Sequence, residues 1–182
     1  MVTQFVLRGA VLCVLALAAG CQNTVQMRMA RNPEAAPTGD SAAYLDAVSR
    51  RPEVSNRQAV QGVLMLLGQK PDMEYDQAVA ALKGRQVLPR DWKRLGHLPA
   101  DKGDVAYMVY QSCPIKGGLT LGVFGPSRRY CLRELQYHGV MASGLLDNTV
   151  TGMEYVAILA RADELRQTGK VSPVMVREAK TE

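Results

Sequence analysis

The chain has 182 residues, of which 47% are hydrophobic and 21% are charged. These values are ordinary for a globular protein and exclude a disordered chain, a collagen and a coiled-coil rod. One apolar window occurs, at the N-terminus, and it is shorter than the roughly 20 apolar residues of a spanning helix, which excludes a polytopic membrane protein. The length predicts a single domain, or two small ones sharing a core.

Residues 1–20 contain the three parts of a secretory signal peptide. Arg8 supplies the positive charge, residues 10–19 form the apolar stretch, and small residues precede Cys21. The segment Leu17-Ala18-Ala19-Gly20-Cys21 resembles the lipobox of bacterial lipoproteins. This resemblance implies a diacylglycerol on the Cys21 thiol and usually a further acyl chain on its amine, which together would anchor the protein stably. The alternative is an ordinary signal peptide followed by a coincidental cysteine.

The localisation that follows is an exported, lipid-anchored protein. In Gram-negative lipoproteins an Asp after the cysteine favours retention in the inner membrane, so Gln22 predicts the outer membrane. The formal net charge is +5, and removal of residues 1–20 takes away one basic residue, which leaves +4. This modest basic excess favours an anionic partner such as a lipid headgroup, a cell-wall polymer or an acidic glycan. Nucleic acid is an unsuitable partner for an exported protein.

The remainder divides into a tether, a domain and a tail. Residues 21–43 lack helical or strand periodicity and contain Pro33 and Pro37, which is typical of a flexible tether. Residues 44–168 form the predicted helical domain. Residues 169–182 are predicted to be a short tail, with Val174 and Val176 as candidates to pack on the core.

Five helices are predicted in the domain, because polar residues suited to an N-cap precede five apolar patterns. These caps are Ser55 with Gln58, Asp72, Asp101 with Asp104, Ser127, and Thr151 with Glu154. Residues 117–126 are bounded by glycines and predict a short strand or hairpin. The predicted fold class is therefore mainly α, a small bundle of about five helices with one short extended hairpin segment.

Two segments of the chain resemble each other, residues 78–109 and residues 131–159. Each consists of a short helix, a tight turn with two apolar residues, an irregular loop and a capped helix. The segment from Ser55 to Leu67 is interpreted as the second helix of a truncated earlier unit.

The helix starts at residues 100–106 and 150–156 resemble the "I-T-R-A-E-F-A" motif of the S-layer homology family, across about residues 75–165. The resemblance implies a helical bundle that binds cell-wall or envelope polysaccharide, with a contribution from the motif arginine. That arginine is replaced by Lys102 in one unit and by Gly152 in the other. Loss of the guanidinium removes a bidentate donor, so we expect the topology to be shared rather than the glycan binding.

Cys113 and Cys131 are the cysteines that remain after the signal and the lipidated residue are set aside. In an oxidising compartment they can form a disulfide that closes the segment between them, worth about 3 kcal/mol. The alternative is two separate buried thiols.

The two histidines, His97 and His138, have no metal-binding spacing, and the sequence contains no CxxC, GxSxG or phosphate-binding glycine motif, so no catalytic residue, metal or cofactor is predicted.

The candidate contacts to an anionic ligand or glycan are basic or aromatic side chains. Arg129 and Arg133 are four residues apart and share a helix face, where they either bind an anion or pair with Glu134, Asp147 or Glu154. Trp92 is interpreted as a packing residue, with a sugar platform as the alternative. The full set of candidates is Arg128, Arg129, Arg133, Lys102 and Trp92.

The leading functional hypothesis is a lipid-anchored structural or binding module of the cell envelope, without enzymatic activity, that contacts cell-wall glycan or another envelope protein. One alternative is a small envelope enzyme that acts on cell-wall polymer. The other is an accessory subunit of an outer-membrane assembly or secretion machine.

Overall fold

The computed structural model describes residues 40–115 and 119–172. Cys21, residues 1–39, Val174 and Val176 lie outside the described residues, and so do the predictions made for them. The described part contains seven helices and no strand, which confirms a mainly α fold. Among these helices we find none with the length and hydropathy needed to cross a membrane.

The helices follow one another with short connections, except for two longer loops before residues 100 and 150. In chain order they are α1 (Ser41–Ser49), α2 (Asn56–Leu66), α3 (Tyr75–Gly84), α4 (Lys102–Ser112), α5 (Leu119–Phe124), α6 (Arg128–Tyr137) and α7 (Gly152–Thr168).

Three details of the predicted elements are wrong. Residues 41–43 belong to α1 rather than to the tether, because Asp40 caps this helix and accepts a hydrogen bond from the backbone of Ala42. Residues 119–124 form α5 and not a strand or hairpin. Helix α3 begins three residues after Asp72, with Glu74 at its N-cap position and no side-chain cap.

The other four caps are confirmed. Ser55 and Gln58 form a reciprocal capping box at the start of α2. At the starts of α4, α6 and α7 a side-chain oxygen accepts a hydrogen bond from the backbone three residues on, and these caps are Asp101, Ser127 and Thr151. Each cap satisfies an N–H that would otherwise lack an intrahelical partner.

Three residues that directly precede capped helices form a closed ring of backbone hydrogen bonds. The N–H of Val54 donates to the carbonyl of Val150 at 2.9 Å, and Val150 donates to Ala100 at 3.2 Å. Ala100 closes the ring by donating to Val54 at 2.8 Å. All three side chains are fully buried. The helices α2, α4 and α7 therefore start around one common point.

Helix packing follows the same cyclic order. We define unit 1 as residues 41–66, unit 2 as residues 75–112 and unit 3 as residues 128–168; each has a first and a second helix. The first helix of each unit packs on the second helix of another: α3 on α2, α6 on α4, and α1 on α7. Unit 1 thus has both helices and is not truncated, and α5 is an insertion between units 2 and 3.

The core lies between the three second helices and is filled by aliphatic side chains and two tyrosines. Tyr155 is fully buried and its hydroxyl donates to the carbonyl of Ala59 in α2. Tyr44 of α1 is also buried, and its hydroxyl donates to Gln58 and Gln61. Both hydroxyls have a hydrogen-bond acceptor, as buried polar groups need. The bond from Tyr155 joins unit 3 to unit 1, and the bonds from Tyr44 join α1 to α2.

Candidate binding surface

Four charged side chains form an ionic cluster at the start of α4, and we call Arg94, Asp101, Asp104 and Arg128 the α4 cluster. Arg94 Nε lies 2.6 Å from Asp104 Oδ2. Arg128 Nε lies 2.8 Å from Asp104 Oδ1, and Arg128 Nη2 lies 2.5 Å from Asp101 Oδ1. The side chain of Asp104 is only 5% exposed. Two guanidinium groups from different segments thus converge on two carboxylates of one helix terminus.

The two arginines and the two aspartates of the α4 cluster balance one another's charge. Burial raises the pKa of Asp104, and the neighbouring charge of Asp101 raises it further, while both arginines act in the opposite direction. The hydrogen bond to Asp104 raises the pKa of Arg94. The guanidinium of Arg128 already pairs with Asp101 and Asp104 and so joins α6 to α4. Arg128 is therefore a poor candidate for a ligand contact.

Lys102, another candidate from the sequence, is buried as well. Its side chain is 8% exposed, and Nζ lies 2.8 Å from Glu154 Oε1 of α7. The same ammonium donates to the carbonyl of Ser143 at 3.3 Å. Lys102 therefore links units 2 and 3 and does not present its charge at the surface.

Trp92 is a packing residue, the interpretation that the sequence favoured. It is half-buried, and its indole N–H donates to the Tyr75 hydroxyl at 3.1 Å. The Tyr75 hydroxyl donates in turn to the carbonyl of Arg94 at 2.8 Å. This chain fixes the loop after α3 against the start of that helix.

Arg129, Arg133 and Tyr137 form an exposed row along α6, which we call the α6 stripe. The spacing of four residues places all three on one face of the helix. Neither guanidinium forms an ion pair or hydrogen bond with any residue in the described ranges. The acidic residues considered as their partners have others, since Glu134 lies 3.6 Å from His138, Asp147 lies near Arg128, and Glu154 pairs with Lys102.

An apolar edge, Val123 and Phe124, lies at the end of α5, next to the first turn of α6. The two residues end α5 and are 69% and 73% exposed. The ring of Phe124 lies 6.2 Å from the ring of Tyr130, which neighbours Arg129 on α6. The sequence predicts an extended element over residues 117–126 and so gives no indication of this edge. Glycine-bounded apolar residues in a short helix have no local signature that separates them from a strand.

A polar groove of about 640 Å³ lies at the ends of α2 and α4 and beside the last turns of α7. It is lined by Leu66, Leu67, Gly68, Gln111, Ser112, Cys113, Pro114, Asp163, Arg166 and Gln167.

Cys113 and Cys131 are free buried thiols in the structure, so the predicted disulfide is absent between these described residues. Burial raises their pKa values to about 11 and about 12, so both remain protonated at neutral pH.

Across residues 40–115 and 119–172, no three His, Cys, Asp or Glu side chains come close enough together to hold a metal ion. The α6 stripe, next to the apolar edge, is thus an exposed basic surface whose two guanidinium groups make no ion pair with the described residues. No protein-family model, no curated protein and no solved structure shows a significant match to this chain.

Proposed function

We propose that the protein is a lipid-anchored binding module of the cell envelope, held to a membrane through Cys21, with the α6 stripe as its contact for an anionic component of the envelope. The observation that carries the proposal is that Arg129 and Arg133 are exposed and make no internal ion pair. Maintaining two like charges side by side on a helix is unfavourable, so an external anion is the natural partner.

The proposed mechanism is proximity. A lipid on Cys21 restricts the domain to a thin layer above one membrane, which raises its local concentration there. A weak contact made by two arginines then suffices to keep the domain oriented. No chemical step is needed, and the proposal assigns none.

The cyclic order of the units supports part of the S-layer homology resemblance. Repeated helix–loop–helix units that cluster into one helical bundle are what a shared topology would produce. The motif position of the family's arginine is occupied by Asn56, Lys102 and Gly152, and all three are buried at contacts between units. We therefore propose a related architecture in which those positions hold units together and the ligand contact lies elsewhere.

The anchor is tested by Cys21→Ala in cells, followed by separation of soluble and membrane fractions. The variant is expected in the soluble fraction, whereas the wild-type chain sediments with membranes and incorporates a clickable palmitate. Membrane association of the variant at the wild-type level, or a wild-type chain that takes up no palmitate, would contradict the proposal.

The binding face is tested in the Cys21→Ala background, so that the lipid does not mask a weak contact. Purified protein is sedimented with total envelope fraction at increasing salt. Arg129→Ala with Arg133→Ala is expected to lower the bound fraction strongly at low salt, because two unscreened charges are lost. Arg85→Ala with Arg90→Ala is the matched control, since both residues are exposed and the same charge is removed. Equal loss in both double variants would refute a specific face.

A further inference from the structure

We propose that the anionic partner of the α6 stripe is the headgroup region of the bilayer that holds the anchor. This inference rests on the proposed function and names the partner within it. The contact surface is the α5–α6 face, which we define as the apolar edge (Val123 and Phe124), Tyr130 and the α6 stripe.

The composition of the α5–α6 face matches the interface of a membrane. Arg129 and Arg133 offer donors for lipid phosphates, while Val123 and Phe124 supply apolar surface for the boundary with the acyl chains. Tyrosine is typical of this layer because its ring is apolar and its hydroxyl polar, and Tyr137 is 84% exposed on the same helix. A hydrated polymer would use the guanidinium groups but would leave the apolar edge in water.

The described contacts explain why the face is available. Phe124 touches the domain through the ring of Tyr130, and most of its surface remains exposed. The inward residues of α6 are Cys131, Leu132 and Leu135, which are buried against the core, so the helix is amphipathic with its basic and aromatic face outward. Docking on a surface therefore requires no rearrangement of the domain.

The chain length between anchor and domain allows this contact. Residues 22–39 separate Cys21 from the first described residue, and a chain of that length reaches at most about 60 Å. The domain thus remains within reach of the bilayer surface, where even a weak contact is populated.

Vesicle flotation tests the inference with the mature-length Cys21→Ala protein. The probes are vesicles of phosphatidylglycerol in phosphatidylcholine, vesicles of phosphatidylcholine alone, and purified sacculi. We expect binding to the anionic vesicles, weakened by salt, and little binding to the other two. Arg129→Ala with Arg133→Ala should lower the affinity for anionic vesicles by roughly 30-fold, since each arginine near such a surface contributes about 1 kcal/mol.

The apolar edge separates this inference from simple charge attraction. Phe124→Ser should lower vesicle affinity several-fold at constant charge, whereas Met153→Ser, at a methionine that is 70% exposed on α7, should leave it unchanged. Binding to sacculi but not to anionic vesicles, or an unchanged affinity of Phe124→Ser, would overturn the inference. In either case the arginine-dependent binding to total envelope would leave the proposed function standing.

Discussion

Gly152 shows at a single residue how closely two units approach. Its N–H donates to the carbonyl of Arg51 at 2.9 Å, and a Cβ at this position would overlap the carbonyl oxygen of Val48. Since both neighbours are backbone atoms, neither can rotate away. From the sequence alone this glycine is interpreted as a lost ligand contact, whereas the structure shows that the position requires the absence of a side chain.

We therefore predict that Gly152→Ala lowers the free energy of unfolding by about 2 kcal/mol or more, as overpacking does. Chemical denaturation measures the change. Gly84→Ala is the control, because Gly84 ends α3 with no atom within 4 Å of a Cβ, and it should be neutral or slightly stabilising. Equal effects of the two substitutions would contradict the close approach.

Asp104 gives a prediction for pH. Its pKa is raised in the folded protein, chiefly by burial, so the folded state binds the proton more tightly than the unfolded state. The contribution to stability is then present below the unfolded pKa and is lost as the pH rises through the folded value. We expect the stability of Asp104→Asn relative to wild type to increase as the pH rises from about 3 through the acidic range, measured by urea unfolding across that range. A constant difference would argue against a raised pKa.

Cys113 and Cys131 allow a test of the thiol state. Because burial raises both pKa values far above neutrality, we expect a thiol reagent to label the native protein very slowly at pH 8. In denaturant both thiols should react, with Cys13→Ala and Cys21→Ala variants used to isolate the pair. Fast native labelling would contradict the burial, and no labelling in denaturant would show that the pair is bridged.

At the scale of the elements, the sequence predicted what depends on residues close in the chain. The caps at Ser55, Asp101, Ser127 and Thr151 were found because a cap is a contact across three residues. Helix α1 was missed, since it is short and its buried residues Tyr44 and Val48 lack a longer periodic pattern. The α4 cluster could not be predicted, because it joins Arg94 and Arg128 from separate segments to one helix terminus.

The ion pair between Lys102 and Glu154 connects two such elements, α4 and α7. Glu154→Gln should lower the free energy of unfolding by about 2 kcal/mol or more, because it leaves the ammonium buried without its counter-charge. Adding Lys102→Met should recover part of this loss, since the unpaired charge is removed. Chemical denaturation of both single variants and the double variant provides the measurement. Strictly additive losses would show that the two groups do not interact.

At the scale of the whole molecule, the exchange of helices between units predicts a single cooperative transition. The first helix of units 2 and 3 packs chiefly on the second helix of another unit, and in unit 1 α1 packs more extensively on α7 than on α2, so no unit keeps its full core when another unfolds. Trp92, the sole tryptophan, reports on unit 2, while far-UV circular dichroism reports on all helices. We expect the two probes to give coincident unfolding curves for the wild type.

The two unfolding curves should also coincide when a substitution destabilises unit 1. Tyr44→Ala removes a fully buried ring and should cost about 3 kcal/mol or more. Fluorescence of Trp92 should shift to lower denaturant together with the circular dichroism signal, although the substitution lies in another unit. A tryptophan transition that stays at its wild-type midpoint would show that the units unfold separately.

The position of α1 also decides how the domain would respond to mechanical load. A pull on the polypeptide ahead of Asp40 enters the domain at α1, which packs on α7, the last helix of the described residues. The load is thereby shared between the first and the last described helices from the outset. Peeling α1 away from the domain would require its contact with α7 to break at the same moment.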